Sequence, residues 1–267
     1  MKSRIIVALI GVPVVLACLL LDVADGALFA ALVCAAFTLA VLEFYGMMRP
    51  YGPFVPAGMV AVALAPVFAW RAGEPGITGA MLVVLPLTMV FAQLSVPRRE
   101  PAVSMMATLA GVLYVAPAAG LAIVIHTSTG RGPYFVLMIL AAIWVNDTSA
   151  YFAGRAFGRH KLAPRLSPKK SIEGFVAGVA AGTFVTWFGN GMFESPPLTG
   201  AEALMLGITL GVATPFGDLF ESMVKRAAGV KDSGTLLGDH GGMLDRIDAL
   251  LTTVPVAYLA LFLFGEL

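Results

Sequence analysis

The chain has 267 residues, of which 59% are hydrophobic and only 12% charged, and its formal net charge is +1. Soluble domains carry about 25% charged residues, so a soluble globular fold is excluded and a polytopic α-helical membrane protein is indicated. The near-neutral balance gives no reason to expect a nucleic-acid partner. Cys18 and Cys34 lie inside apolar runs with no CxxC pair, which argues for packing rather than a disulfide or a zinc site.

Apolar runs of roughly 20 residues, long enough to cross the hydrocarbon core, recur nine times along the chain. The first, about 5–22, follows Lys2 and Arg4. It is longer than a signal-peptide core and further spans follow at once, so it reads as an uncleaved transmembrane helix. The others fall at about 27–48, 54–70, 77–95, 103–125, 133–153, 172–190, 202–223 and 246–265. Pro13, Pro66, Pro86, Pro117 and Pro215 sit inside runs, where neighbouring groups must satisfy the carbonyl each one frees. Pro53, Pro75 and Pro133 stand at or near run ends. With a cytoplasmic amino terminus, every one of the 17 Lys and Arg residues except Arg71 and Arg131 faces the cytoplasm. The carboxyl terminus then lies on the opposite side. The expectation is one all-α membrane domain over 1–267, with scaffold helices in 1–130 and the helices and loops of the active site in 131–267.

Two polar zones share the cytoplasmic face. One is residues 216–248, FGDLFESMVKRAAGVKDSGTLLGDHGGMLDRID, in which acids, bases and glycines are interleaved. Asp218, Glu221, Ser222 and Lys225 are spaced to lie along one helix face. Asp218 falls inside its span, where an ionisable residue is a functional candidate. Asp245 and Asp248 stand one turn apart at the start of the last span, where the helix dipole favours carboxylates. Such paired acids can also ligate Mg²⁺, and a metal bridging Asp218 and Asp245 requires the last two spans to meet at their cytoplasmic ends. Before them, His240-Gly241-Gly242 offers backbone N–H groups to an anion at a helix start. Lys225, Arg226, Lys231 and Arg246 can neutralise phosphate oxygens, or form a belt facing anionic headgroups.

The other zone is residues 144–174. Asn146 and Asp147 interrupt an apolar span, and Ser167-Pro168-Lys169-Lys170-Ser171 leads into a helix that Ser171 would cap. Lys169 and Lys170 would then flank a helix amino terminus suited to an anion. No GxxxxGK[ST], HExxH or GxSxG motif is present. A nucleotide site would have to be built from these helix ends and loops.

The chain resembles the phosphatidate cytidylyltransferases, the CDP-diacylglycerol synthases. Their signature, S-x-hydrophobic-K-R through K-D-x-small to H-G-G-hydrophobic-x-D-R-hydrophobic-D, is met by Ser222, Lys225, Arg226, Lys231, Asp232, Gly234, Leu237, Gly238, His240, Gly241, Gly242, Met243, Asp245, Arg246, Ile247 and Asp248. Gly238 stands where proline is common in the family. The upstream ND…YxxGRxxGxxK, LSPKKSxEG and FGDLFES segments are similar too. The resemblance implies condensation of CTP with phosphatidic acid to CDP-diacylglycerol and pyrophosphate, dependent on Mg²⁺ alone or with a second cation. It implies metal ligation by Asp218 and Asp245, with Asp248 and Asp147 close by. Lys225, Arg226, Lys231 and Arg246 would hold the triphosphate and leaving pyrophosphate, and Ser167, Lys169 and Lys170 would grip CTP or the lipid phosphate. Ser222, Asp232, Gly241 and Gly242 join the substrate site, and His240 binds or positions. A homodimer follows by family analogy. The lack of a targeting extension or long soluble tail points to a bacterial chain in the inner (plasma) membrane.

Other readings predict other patterns. A transporter would spread its acids through the membrane depth, whereas here they gather toward one face. A CDP-alcohol phosphotransferase would show DGxxAR, which is missing. A CTP-dependent lipid kinase would release CDP rather than pyrophosphate.

Overall fold

A computed structural model of the chain describes residues 2–21, 25–94, 100–128, 130–236 and 241–267. Eight helices carry nearly all of it: α1 (Lys2–Leu20), α2 (Ala27–Met47), α3 (Val55–Leu94), α4 (Pro101–Thr127), α5 (Gly132–Phe157), α6 (Ile172–Gly191), α7 (Gly200–Ala227) and α8 (Leu244–Phe264). Seven helices among the described residues are long and apolar enough to cross a membrane, and the Gly11–Leu20 part of α1 is a shorter apolar helix. Large apolar side chains such as Leu82, Leu113, Phe184 and Leu263 point outward from them. Outward apolar faces with internally satisfied backbones suit lipid rather than water. The molecule is a multi-pass, nearly all-helical membrane protein. Arg98 and Arg99, used in the orientation argument, lie outside the described residues.

The chain gathers into two compact units, Met1–Thr127 with Ala227–Ile247, and Ser128–Arg226 with Asp248–Leu267. The segment 227–247, expected with the catalytic half of the chain, therefore packs with the first unit.

In the first unit, α2 and the start of α3 form an antiparallel pair. Trp70 Nε1 donates to the Asp25 carbonyl at 2.8 Å, and Cys34 Sγ to the Ala63 carbonyl at 3.4 Å. The buried Tyr45 hydroxyl donates to the Thr108 carbonyl at 2.7 Å, joining α2 to α4. Its ring lies where a Cβ on Gly58 of α3 or Gly111 of α4 would have to sit, so both neighbours must be glycine. At the other end of α4, His126 stacks on Phe29 with ring centroids 4.6 Å apart.

Helix α3 is two limbs broken at Gly73, whose φ of 60° and ψ of −145° are open to glycine alone. Gly76 then packs directly on the Phe68 carbonyl, although residues eight apart in a straight helix are separated by about 12 Å. The chain therefore reverses, and Ile77 of the second limb packs on Gly120 near the end of α4. The two separate runs expected at 54–70 and 77–95 correspond to these limbs, with Pro75 at the start of the second.

In the second unit, Gly174, Gly178 and Gly182 of α6 lie against Asn146, Ala150 and Gly154 of α5, the close small-residue packing of membrane helices. Gly207 and Gly211 of α7 press on Thr183 and Val179 of α6. Thr252 of α8 donates to the Ala213 carbonyl of α7 at 3.2 Å. Ser171 caps α6 as the sequence indicates, accepting from Gly174 N at 3.1 Å.

The departure from an all-helical chain is a hairpin that joins α5 to α6. Strands β1 (Lys161–Ala163) and β2 (Ser167–Ser171) pair antiparallel, Lys161 opposite Ser171. Pro164 and Pro168 bar a helix here, and backbone pairing satisfies the strand instead. Glu173 in the first turn of α6 holds the hairpin foot, accepting from His160 Nδ1 at 2.7 Å.

Candidate active site

The spacing of α7 puts Asp218, Glu221, Ser222 and Lys225 on one face. Asp218 and Glu221 converge with Asp248 of α8, and one carboxylate oxygen from each lies within 4.8 Å of the others. Glu221 is almost fully buried and pairs with Lys225 at 2.5 Å. Ser222 Oγ donates to Asp218 at 3.3 Å, and Asp248 accepts from Ala249 N at 2.8 Å.

Lys170 joins this group from β2. Its ammonium lies 2.7 Å from Asp218 Oδ2 and donates to the Pro215 carbonyl at 3.3 Å. Strand geometry explains how one of two consecutive lysines reaches it: adjacent residues point to opposite faces, leaving Lys169 exposed. The two lysines directly precede the amino terminus of α6, as expected, but on a strand that runs into its Ser171 cap. Asp147 feels the charges of Lys170 and Asp218, and Asp248 those of Asp218, Asp147 and Lys225.

Asn146 has a different task. Pro215 has no N–H, so the Gly211 carbonyl one turn earlier loses its helical donor. Asn146 Nδ2 supplies the replacement at 2.8 Å. That bond ties the residue before Asp147 to α7 about two turns before Asp218.

When all are ionised, Asp147, Asp218, Glu221 and Asp248 oppose Lys170 and Lys225, leaving two negative charges. The donors are all carboxylate oxygens, with no thiolate or imidazole among them. A hard divalent cation fits such a set by both charge and ligand type.

Asp245, expected to share a metal with Asp218, belongs to the first unit. Its Oδ2 accepts from Gly242 N at 2.7 Å, Ser233 Oγ at 2.9 Å and Ser233 N at 3.0 Å, all within the first unit. The Gly241-Gly242 pair, read as a cradle for an external anion, lies against the protein's own carboxylates. A Cβ on Gly241 would strike Asp245, and one on Gly242 would strike Glu43. Gly241 also has a φ of 76°. Lys231, Asp232 and Arg246 are exposed around this segment, as is Arg226 at the end of α7, while Ser167 is half-buried on β2. Leu237, Gly238 and His240 lie outside the described residues.

Sequence reasoning left three participants unassigned. Glu221 is visible in the sequence as the i+3 neighbour of Asp218, on the same helix face, but nothing there gives it a ligand role. Ser233 carried no signal of its own. Glu43 did: it is a lone acid inside the apolar run of α2, and such a residue is a candidate by its position.

A family model described as "Cytidylyltransferase family" matches residues 2–264. A protein of Thermotoga maritima named phosphatidate cytidylyltransferase is 42% identical over 127 residues, 46% of this chain and 47% of that protein. The chain thus spans about half the length of that relative. Proteins of the same name are 34% identical over 96% of this chain and 95% of the relative in Pseudomonas aeruginosa, and 30% identical over 96% and 94% in Synechocystis. Matched over nearly its whole length by the family model and by two of these relatives, the chain belongs to the cytidylyltransferase family.

Proposed function

We propose that this cytidylyltransferase acts on phosphatidic acid, joining it to CTP to give CDP-diacylglycerol and pyrophosphate for phospholipid synthesis. The observation that carries the reading is the convergence of Asp218, Glu221 and Asp248, flanked by Lys170 and Lys225, near the ends of apolar helices. The relatives' shared name and the signature over 222–248 point the same way.

The phosphate oxygen of the lipid attacks the α-phosphorus of CTP. A new P–O–P bridge forms, the bond between α-phosphorus and the bridging oxygen breaks, and pyrophosphate leaves with that electron pair. The attacking phosphate is already ionised, so no general base is needed, and the protein's contribution is positioning and charge neutralisation. Asp218, Glu221 and Asp248 would hold Mg²⁺, with Asp147 beside them; a second cation is open to the same carboxylates. When bound, the metal supplies positive charge to the phosphate oxygens. Lys170 holds Asp218 in place, and its ammonium is placed to meet a phosphate oxygen. Lys225 offsets the buried Glu221 charge. Ser167, Lys169 and Arg226 provide phosphate donors, while Lys231, Asp232, Arg246 and the Gly241–Gly242 turn serve the nucleotide. The charge of Asp245 contributes to turnover in addition to holding its loop.

The chain is assigned to a bacterial inner membrane with nine crossings and a cytoplasmic amino terminus. What supports the odd count is the bonding of Glu43, near the end of α2, to the start of α8. Both points must lie on one membrane side, so the intervening crossings must be even. They number six if the two limbs of α3 each cross and five if α3 crosses once.

The test is pyrophosphate release by purified protein given CTP, phosphatidic acid and Mg²⁺, each omitted in turn. Release that needs all three is expected. Release independent of phosphatidic acid, or none from folded protein, would overturn the substrate assignment.

A further inference from the structure

We propose that Glu43 is a positioning residue, a carboxylate that α2 supplies to set the conformation of residues 231–236 and 241–246, which flank the nucleotide-binding loop. The proposal rests on the cytidylyltransferase reading for the role of that loop.

Glu43 lies near the end of α2, among the buried Val41, Phe44, Tyr45 and Met47. Nothing local calls for an acid there. Both of its oxygens are engaged by one stretch of chain about 200 residues later. Oε1 accepts from Met243 N at 2.9 Å, and Oε2 accepts from Leu244 N at 2.8 Å and from Ser233 Oγ at 3.0 Å.

These two amides belong to the start of α8, where the first N–H groups have no helical acceptor. Such groups are ordinarily capped by a Ser, Thr, Asp or Asn just before the helix. Here the preceding residues are Gly241, Gly242 and Met243, with no oxygen in their side chains. Glu43 provides the missing cap from another helix. Ser233 extends the clamp, since its hydroxyl lies within hydrogen-bond distance of both Glu43 and Asp245. Gly234 and Gly242 close it, because a Cβ at either would collide with the Glu43 carboxylate. The segment is thereby pinned at 233–234 and at 242–245. Lys231, Asp232 and Arg246, exposed beside these pins, take their places from it.

The two-oxygen arrangement makes the test sharp. Glu43→Gln has nearly the same size, but both oxygen positions face a backbone donor, and an amide can present oxygen to only one. We expect E43Q to fold, with faster backbone amide exchange across 241–247 and weaker CTP binding. Its kcat should fall about 10- to 100-fold, as when a partner that orients a working group is removed. Glu43→Asp keeps both oxygens on a shorter stem and should recover part of both readouts. Ser233→Ala should cost a few-fold and add little on top of E43Q.

If exchange across 241–247 in E43Q equals wild type, the clamp is wrong. If exchange accelerates while kcat, KM and CTP affinity stay at wild-type values, Glu43 is merely structural and the positioning role is refuted. Should E43Q not fold, Ser233→Ala carries the test, and unchanged exchange and kinetics there overturn the proposal. A wild-type protein that binds CTP but releases no pyrophosphate with phosphatidic acid would sink the substrate reading alone. Exchange and CTP affinity in E43Q would still decide the clamp.

Discussion

Replacing Asn146 by leucine tests how the second unit tolerates the proline in α7. The two side chains are close in size, so the main loss is the Nδ2 donor. Pro215 has already taken the helical donor from the Gly211 carbonyl, and the Asn146 bond of 2.8 Å replaces it. The substitution leaves a buried carbonyl with neither partner. A buried unsatisfied group costs about 1–3 kcal/mol, whereas inter-helix hydrogen bonds in membranes average about 0.6 kcal/mol and reach about 1.7. A loss of about 1–2 kcal/mol is therefore expected, roughly a 5- to 30-fold change in the folded-to-unfolded ratio. The assay is reversible unfolding in detergent, run as a cycle with Pro215→Ala. That second change restores an N–H at 215, so Asn146→Leu should cost much less in its presence. Equal losses in both backgrounds would refute the account of Asn146 as a stand-in donor. Turnover should fall along with stability in the single variant, because the same bond steadies the turns that lead to Asp147 and Asp218.

Asp218→Asn and Asp248→Asn each remove one charge from the all-oxygen group; turnover should drop more than about 100-fold, with a higher Mg²⁺ requirement and an unchanged melting profile. Lys170→Gln cuts the Asp218 pair and should lower kcat about tenfold or more by misplacing that carboxylate; a wild-type rate would remove Lys170 from the site. Asp245→Asn can keep an oxygen in the Oδ2 place that takes the loop donors, so folded protein without turnover is expected, and retained turnover would confine Asp245 to the loop. Gly242→Ala forces a methyl onto Glu43 and Ser233 and should cost about 1–3 kcal/mol of stability by overpacking, read from detergent unfolding.

Much of this protein is legible in one dimension because a bilayer simplifies the code. Apolar runs long enough to span must be helices, so α4 to α8 begin and end within a few residues of the runs that announce them. The Asp218–Glu221–Ser222–Lys225 face follows from helical periodicity alone, and the Ser171 cap from local chemistry. The hairpin at 161–171 was hidden because two short polar strands carry too few residues to separate from a loop. The ion pair of Asp218 with Lys170 was hidden for a related reason: periodicity says which residues share a face, and nothing about which strand approaches it.

The sequence by itself determined the helical membrane class, the two polar zones and the family signature, since each rests on residue type and spacing along the chain. Tertiary structure alone decided the partners: Lys170 with Asp218, Asn146 with the carbonyl Pro215 frees, and Asp248 with Asp218 and Glu221. It also decided that the Gly241–Gly242 turn is held by Glu43 and Asp245. Hydrogen bonds and ion pairs act over about 3 Å, and residues up to 201 positions apart come within that distance only when the helices pack.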